Sequence, residues 1–173
     1  MRNIYLIGMP GSGKSLIGQK LSLMLDCKFV DTDEMVREVY GKSAEEIILE
    51  DGEAFFRNCE HQILLKLLET EGHIVSTGGG MPVFNDHLSL MKEKGIVVYL
   101  RYEVSSLWAR LLKDHTRPLS DTKEKTELLY SGRRDLYEKA HIIYDAEEDF
   151  RKNINGIVKQ IKTRYPGEIE SLT

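Results

Sequence analysis

Brief apolar runs alternate with amphipathic stretches along the length of this chain. Residues 4–7, 28–30, 74–76, 96–100 and 142–144 are short and near-continuously apolar, so each reads as a buried strand. After the first run, Leu16, Ile17, Leu21, Met24 and Leu25 recur at helical spacing and define the apolar face of a helix. Between the second and third runs, residues 33–70 form a long helical insertion. Within it Ser43-Ala-Glu-Glu46 is a capping box that restarts a helix after Gly41, and Gly52 divides that helix from the next. Strands alternating with helices predict βαβ units and a parallel sheet covered on both faces, an α/β architecture. Residues 113–122 are polar, contain Pro118 and read as a lid over a ligand site. Residues 1–165 are expected to form one domain, with 166–173 as a flexible tail.

Composition narrows the function. A net charge of -4 and a pI near 5.8 provide no basic footprint, so no nucleic-acid partner is expected. No apolar run approaches the length of a membrane span, and because the sequence opens directly on a strand no signal peptide is expected. Cys27 and Cys59 are isolated and lack zinc spacing, so a reducing, cytoplasmic location is the expectation. The five histidines have no metal-ligand spacing either. With no extra apolar helix seeking a partner, a monomer is the default.

One motif dominates the chemistry. Gly8-Met-Pro-Gly-Ser-Gly13-Lys14-Ser15 fits G-x-x-x-x-G-K-[ST] and lies between a strand and a helix, the context that phosphate binding requires. Glycines let the backbone N–H groups turn inward around a polyphosphate, and the helix N-terminus adds its positive end. Lys14 can reach the outer phosphates and the Ser15 hydroxyl can hold Mg²⁺. Asp31-Thr-Asp33 follows the second strand. Its carboxylates suit orientation of hydrated Mg²⁺ and capture of a substrate hydroxyl, and equally the capping of the next helix.

Further along, Glu53 and Arg57 stand four apart on a helix beside Phe55 and Phe56. Arg57 is either half of a surface ion pair or an inward clamp for a carboxylate or phosphate. The run Gly78-Gly79-Gly80 follows the third strand and favours backbone approaching a ligand closely over a simple turn. Arg133 shares a helical face with Leu129, Leu136 and Ala140, whereas Arg134 lines up with Tyr130 and Tyr137. A charge on an apolar stripe needs a partner, so Arg133 is the better ligand candidate. Arg117 would reach a transferring phosphoryl group on lid closure, and Arg110 is a weaker candidate for nucleotide contact.

Taken together, Gly8 to Ser15, Asp31-Thr-Asp33, Glu53…Phe56-Arg57, Ser76-Thr-Gly-Gly-Gly80, Arg117-Pro-Leu119 and Arg133…Leu136-Tyr137-Glu138 resemble the shikimate kinases, in that family's order. The resemblance implies a three-layer α/β/α P-loop kinase fold with a five-stranded parallel sheet of order 2-3-1-4-5. It implies transfer of the γ-phosphate of ATP to the 3-hydroxyl of shikimate, on the route to chorismate and the aromatic amino acids. Gly11, Ser12, Gly13, Lys14, Ser15 and Leu16 would hold phosphates, joined by Arg110 and Arg117. Ser15 would ligate Mg²⁺ directly and Asp31 through water. Asp33, Arg57, Gly78, Gly79, Gly80 and Arg133 would bind shikimate, with Lys14, Asp33 and Arg117 catalytic. One departure stands out. Family members commonly carry a basic Asn-Pro stretch after the last strand, whereas this chain reads Asp145-Ala-Glu-Glu-Asp-Phe-Arg151. The competing readings are another small-metabolite P-loop kinase such as a gluconate kinase, a nucleotide-binding switch, and a nucleotide-dependent nucleic-acid protein.

Overall fold

The computed structural model describes residues 1–113 and 122–169. Its five described strands are β1 (Asn3–Ile7), β2 (Lys28–Asp31), β3 (His73–Ser76), β4 (Gly95–Arg101) and β5 (Ile142–Asp145). Each matches one of the expected runs to within one residue at either end. They pair in parallel in the order β2-β3-β1-β4-β5, with Ile4 registered to Ile74 on one side and Ile96 on the other.

Alternation along the central strands sorts the core into two layers. Ile4, Leu6, Ile74, Ile96 and Val98 face α1 (Lys14–Met24) and α8 (Phe150–Arg164), which supply Ile17, Leu21, Ile157 and Ile161. Tyr5, Ile7, Val75, Val97 and Tyr99 face the other way. That layer holds α2 (Thr32–Tyr40), α3 (Ala44–Asp51), α4 (Glu53–Leu68), α5 (His87–Lys94), α6 (Val104–Lys113) and α7 (Lys123–Tyr137). The capping box at Ser43 and Glu46 is formed, and Gly52 separates α3 from α4.

Three details differ from the sequence expectation. On α1, Ile17 and Leu21 are buried but Leu16 is 51% and Met24 39% exposed, so the buried seam is narrower than the apolar stripe. On α7, Leu129 is exposed while Thr126 and Tyr137 are buried and Tyr130, Leu136 and, just past the helix, Ala140 partly so. Tyr137 packs against Tyr99 of β4 at 5.1 Å between ring centroids, and that large aromatic area sets the rotation of the helix. The third difference is at residues 166–169. Glu168 pairs with Arg2 at 2.5 Å and Ile169 is buried, so this stretch docks onto the sheet layer instead of starting a loose tail. Residues 170–173, and 114–121 with Arg117 and most of the expected lid, lie outside the described residues. Among the described residues no helix is long and apolar enough to cross a membrane.

Candidate active site

The candidate residues gather at the carboxyl ends of β1, β2 and β3, where open parallel sheets bind ligands. Gly8 (φ 147°), Gly11 (φ 81°) and Gly13 (φ 80°) all occupy backbone that disfavours side chains. Gly13 stands at the N-terminus of α1 and no side chain caps that end, so its first amides are available to an anion. Lys14 lies across the loop, its ammonium donating to the carbonyls of Gly8 and Met9 at 3.0 Å each. It is 8% exposed, a buried cation one side-chain swing from the outer phosphates of a nucleotide.

Asp31 caps the next helix with one oxygen and meets the phosphate-loop serine with the other. Oδ1 caps α2 by accepting from the Asp33 amide at 3.0 Å, and Oδ2 accepts from the Ser15 hydroxyl at 2.6 Å. The Ser76 hydroxyl stands 3.1 Å from that of Ser15. Three hard oxygens beside a phosphate loop suit Mg²⁺, which takes one or two protein ligands and completes its shell with phosphates and water. No cluster of three or more His, Cys, Asp or Glu exists among the described residues, so an all-protein metal cage is not what this site offers.

The triple glycine meets the charged candidates one by one. A Cβ on Gly78 would come 2.8 Å from Asp33 Oδ1, one on Gly79 3.2 Å from Arg133 Nη1, and one on Gly80 2.6 Å from Arg57 Nη1. The Gly79 position is also 3.1 Å from Pro10 and 3.4 Å from the Gly8 carbonyl, so this segment adjoins the phosphate loop. Gly80 has φ -80°, ordinary for any residue, so close approach, not backbone freedom, demands glycine here. Asp33, Arg57 and Arg133 therefore converge on one stretch of backbone next to the loop. A cleft of about 550 Å³ opens beside them, lined by Met9, Pro10, Glu53, Phe84, Leu129 and Arg133. A cavity of about 620 Å³ lies at the opposite, amino ends of β2 and β3 against Cys27 and His73, far from these groups.

Arg57 is held from three sides. It pairs with Glu60 at 2.6 Å and Glu53 at 3.0 Å, and its guanidinium lies 4.1 Å from the centre of the Phe84 ring. With its side chain 15% exposed it turns inward, and its Nε is buried with no hydrogen-bond partner among the described residues. Sequence reading passed over Glu60, which is 1% exposed between Arg57, Asp33 and Arg133. Burial pushes its carboxyl above the usual carboxylate range, against the opposing pull of Arg57. The signal was present: Glu60 falls on the buried α4 stripe of Phe56, Ile63, Leu64 and Leu67, as a charge needing a partner. Helical spacing puts Tyr137 on the Arg134 face, away from the ligand candidates, yet Tyr137 is buried and its hydroxyl donates to the Gly79 carbonyl at 2.5 Å.

Arg133 is half-buried on α7 as expected, and Leu136 and Ala140 of its expected stripe pack partly buried against the core beside Tyr130 and Tyr137, whereas Leu129 is exposed. Arg134 is exposed and pairs with Glu138 at 2.9 Å. Arg110 lies 4.6 Å from the centre of the Tyr102 ring and 3.8 Å from Glu148, with Nη2 3.9 Å from a Cβ placed on Gly13. It therefore flanks the phosphate loop, while Arg117 falls outside the described residues.

The chain is similar to known proteins in both sequence and fold. A family model described as shikimate kinase matches residues 10–163. The chain is 39% identical over 166 residues to a shikimate kinase of Clostridium botulinum, covering 94% of this chain and 97% of that one. It superposes with TM-score 0.89 on the structure of shikimate kinase from Acinetobacter baumannii in complex with shikimate, at 29% identity and 96% coverage of each chain. A gluconokinase from Sinorhizobium meliloti, at TM-score 0.65 and 15% identity, shares the fold alone. The phosphate loop, the three glycines and the charged groups around them thus occur in a chain that belongs to the shikimate kinase family.

Proposed function

We propose that this protein transfers the γ-phosphate of ATP to the 3-hydroxyl of shikimate, giving shikimate 3-phosphate and ADP. The observation that carries the reading is the convergence of Asp33, Arg57 and Arg133 on Gly78–Gly80 beside the phosphate loop. Shikimate is a small carboxylate with three hydroxyls, and two guanidiniums, one carboxylate and exposed backbone are its complement.

In this reading Lys14 and the amides of residues 11–16 bind the phosphates, with Arg110 at the loop's flank. Arg57 and Arg133 clamp the substrate carboxylate, and the backbone of Gly79 and Gly80 contacts the ring. Asp33 orients the 3-hydroxyl and accepts its proton as oxygen bonds to the γ-phosphorus and the bond to ADP breaks. Phosphoryl transfer passes through a loose transition state, so alignment and charge stabilisation outweigh the basicity of Asp33. Arg117, which opens the Arg-Pro-Leu motif and lies outside the described residues, is assigned to the charge of the transferring phosphoryl group. Ser15 directly and Asp31 through water would hold Mg²⁺. When bound with ATP, the ion neutralises charge on the phosphates. The free thiols of Cys27 and Cys59 suit a reducing cytoplasm, and one chain supplies every group, so a monomer suffices.

The test is a coupled ADP-release assay with ATP and Mg²⁺, run with shikimate, with gluconate and with neither. Release that depends on shikimate and collapses in Arg133→Ala supports the proposal. Release with gluconate alone overturns it.

A further inference from the structure

Two histidines that the chemistry above does not use form a direct bond behind the Arg57 site. His61 Nδ1 on α4 and His87 Nε2 at the start of α5 are 2.9 Å apart, with the ring planes only 9° from parallel. The 5.1 Å between centroids is what rings joined edge to edge through their nitrogens require, so the contact is an in-plane hydrogen bond rather than stacking. His87 is fully buried, and its other nitrogen, Nδ1, lies 2.8 Å from the Met81 carbonyl.

That geometry sets the tautomers. A carbonyl only accepts, so His87 Nδ1 carries a proton and neutral His87 presents a bare Nε2. His61 Nδ1 must then be the donor, which it remains whether His61 is neutral or charged. The backbone amide of His87 meanwhile donates to the Phe84 carbonyl at 3.0 Å. His87 therefore grips the segment 81–84 at both ends. Immediately before it stands Gly80, packed on the Arg57 guanidinium, and at its end the Phe84 ring covers that guanidinium. His61 lies one turn after Arg57 on α4. The chain of contacts starts and finishes on one helix.

We propose that His61 and His87 are positioning residues for the substrate carboxylate: their bond clamps the Gly80–Phe84 segment onto the helix bearing Arg57, and the clamp opens when His87 takes up a second proton. This rests on the reading of Arg57 as a carboxylate ligand. Protonated His87 would turn an N–H toward the N–H of His61, and the bond would be replaced by repulsion. Burial holds the His87 pKa below its ordinary 6.5, with the charges of His61 and Arg57 adding to the effect and the Met81 carbonyl opposing it. Among the groups facing it, α4 offers Arg57, His61 and the Arg57-bound Glu60, and the turn at Met81–Val83 offers none. On β4, Tyr99 packs on Tyr137 and Arg101 pairs with Asp145. A depressed histidine stays neutral above 6.5, so the clamp is intact at neutral pH and is lost as pH falls through the lower folded value.

The experiment measures KM for shikimate, KM for ATP and kcat between about pH 5 and 7.5 in wild type, His87→Asn and His87→Leu. An asparagine amide still donates to Met81 and does not titrate. Wild-type KM for shikimate is expected to rise about three- to tenfold on acidification, the effect of one hydrogen bond. Over the same range KM of His87→Asn, which keeps the Met81 bond but gives His61 no acceptor, is raised and does not change with pH, and His87→Leu is raised further, with KM for ATP unmoved. A wild-type to His87→Asn ratio that does not change with pH overturns the proposal. The ¹⁵N imidazole spectrum of the wild-type protein at neutral pH should report His87 protonated at Nδ1 only, and protonation at Nε2 overturns the clamp whatever the variants do. Turnover that does not depend on shikimate would instead sink the functional reading, while the spectrum still decides the pairing.

Discussion

The hydroxyl of Tyr137 donates to the carbonyl of Gly79 at 2.5 Å, which ties α7 to the glycine segment beneath it. Arg133 sits one turn earlier on that helix, with Nη1 close over Gly79. One bond therefore fixes both the height of the helix above the site and the direction of the backbone that faces a substrate. Burial raises the Tyr137 pKa, with Arg133 acting the other way, so the hydroxyl stays protonated and able to donate at neutral pH.

Replacing Tyr137 by Phe leaves a buried carbonyl without its donor. The expected cost is about 1–3 kcal/mol of stability, read from urea unfolding. KM for shikimate should rise severalfold while KM for ATP holds, because Lys14 and the phosphate loop do not depend on this bond. An unchanged KM for shikimate would show that Gly79 is positioned without it.

A Gly80→Ala enzyme should fold, because the methyl meets the head of Arg57 and not backbone. The guanidinium has little room to yield, being paired with Glu60 and Glu53 and covered by Phe84. Shikimate affinity is expected to fall at least about tenfold, the equivalent of a displaced charge-assisted bond. Isothermal titration with shikimate checks it, and a wild-type affinity would detach Arg57 from the substrate.

Much of this was legible because parallel strands buried on both faces are near-continuous apolar runs, and all five appear in the chain as such. The phosphate loop was legible because glycine, lysine and serine at that spacing have few other uses. What could not be read was rotation. The apolar stripe of α7 promised one buried face, and Leu136 and Ala140 do pack on the core, but Tyr137 against Tyr99 takes the most buried position and Leu129 is left exposed. Nor could spacing reveal that Asp31 divides its two oxygens between a helix cap and Ser15. The contact of each glycine with a different charged group arises between elements distant in sequence, so no local pattern records it.

Chelating Mg²⁺ should abolish turnover while leaving the thermal transition of the protein alone unchanged, because no described carboxylate cluster depends on the ion. Asp31→Asn should lower kcat by about 10²-fold, since alignment of the phosphates accounts for most of the rate. It should also raise the Mg²⁺ concentration needed for half-maximal rate. The amide oxygen still accepts from the Asp33 N–H, so the α2 cap survives and the loss separates from folding. An Asp31→Asn enzyme with a normal Mg²⁺ requirement would reduce that carboxylate to a cap.

Glu60 makes a prediction about stability whose sign follows from burial. Its carboxyl is nearly inaccessible and titrates above its ordinary 4.5 in the folded chain, burial outweighing the pull of Arg57. The folded state therefore holds this proton more tightly than the unfolded one. The contribution is fully present below 4.5 and is lost as pH rises through the folded value. Glu60→Gln keeps the shape and a hydrogen bond to Arg57 but has no proton to lose. The variant should thus gain stability relative to wild type as pH is raised from 4.5 toward neutrality, measured as the difference in urea midpoints at the two ends. At neutral pH the same change removes the charge that holds Arg57, so KM for shikimate should rise even where the variant is the more stable protein. Stability and substrate binding moving in opposite directions is the signature of a buried charge kept for the site. A Glu60→Gln protein that binds shikimate normally would leave that charge without a purpose in the reaction.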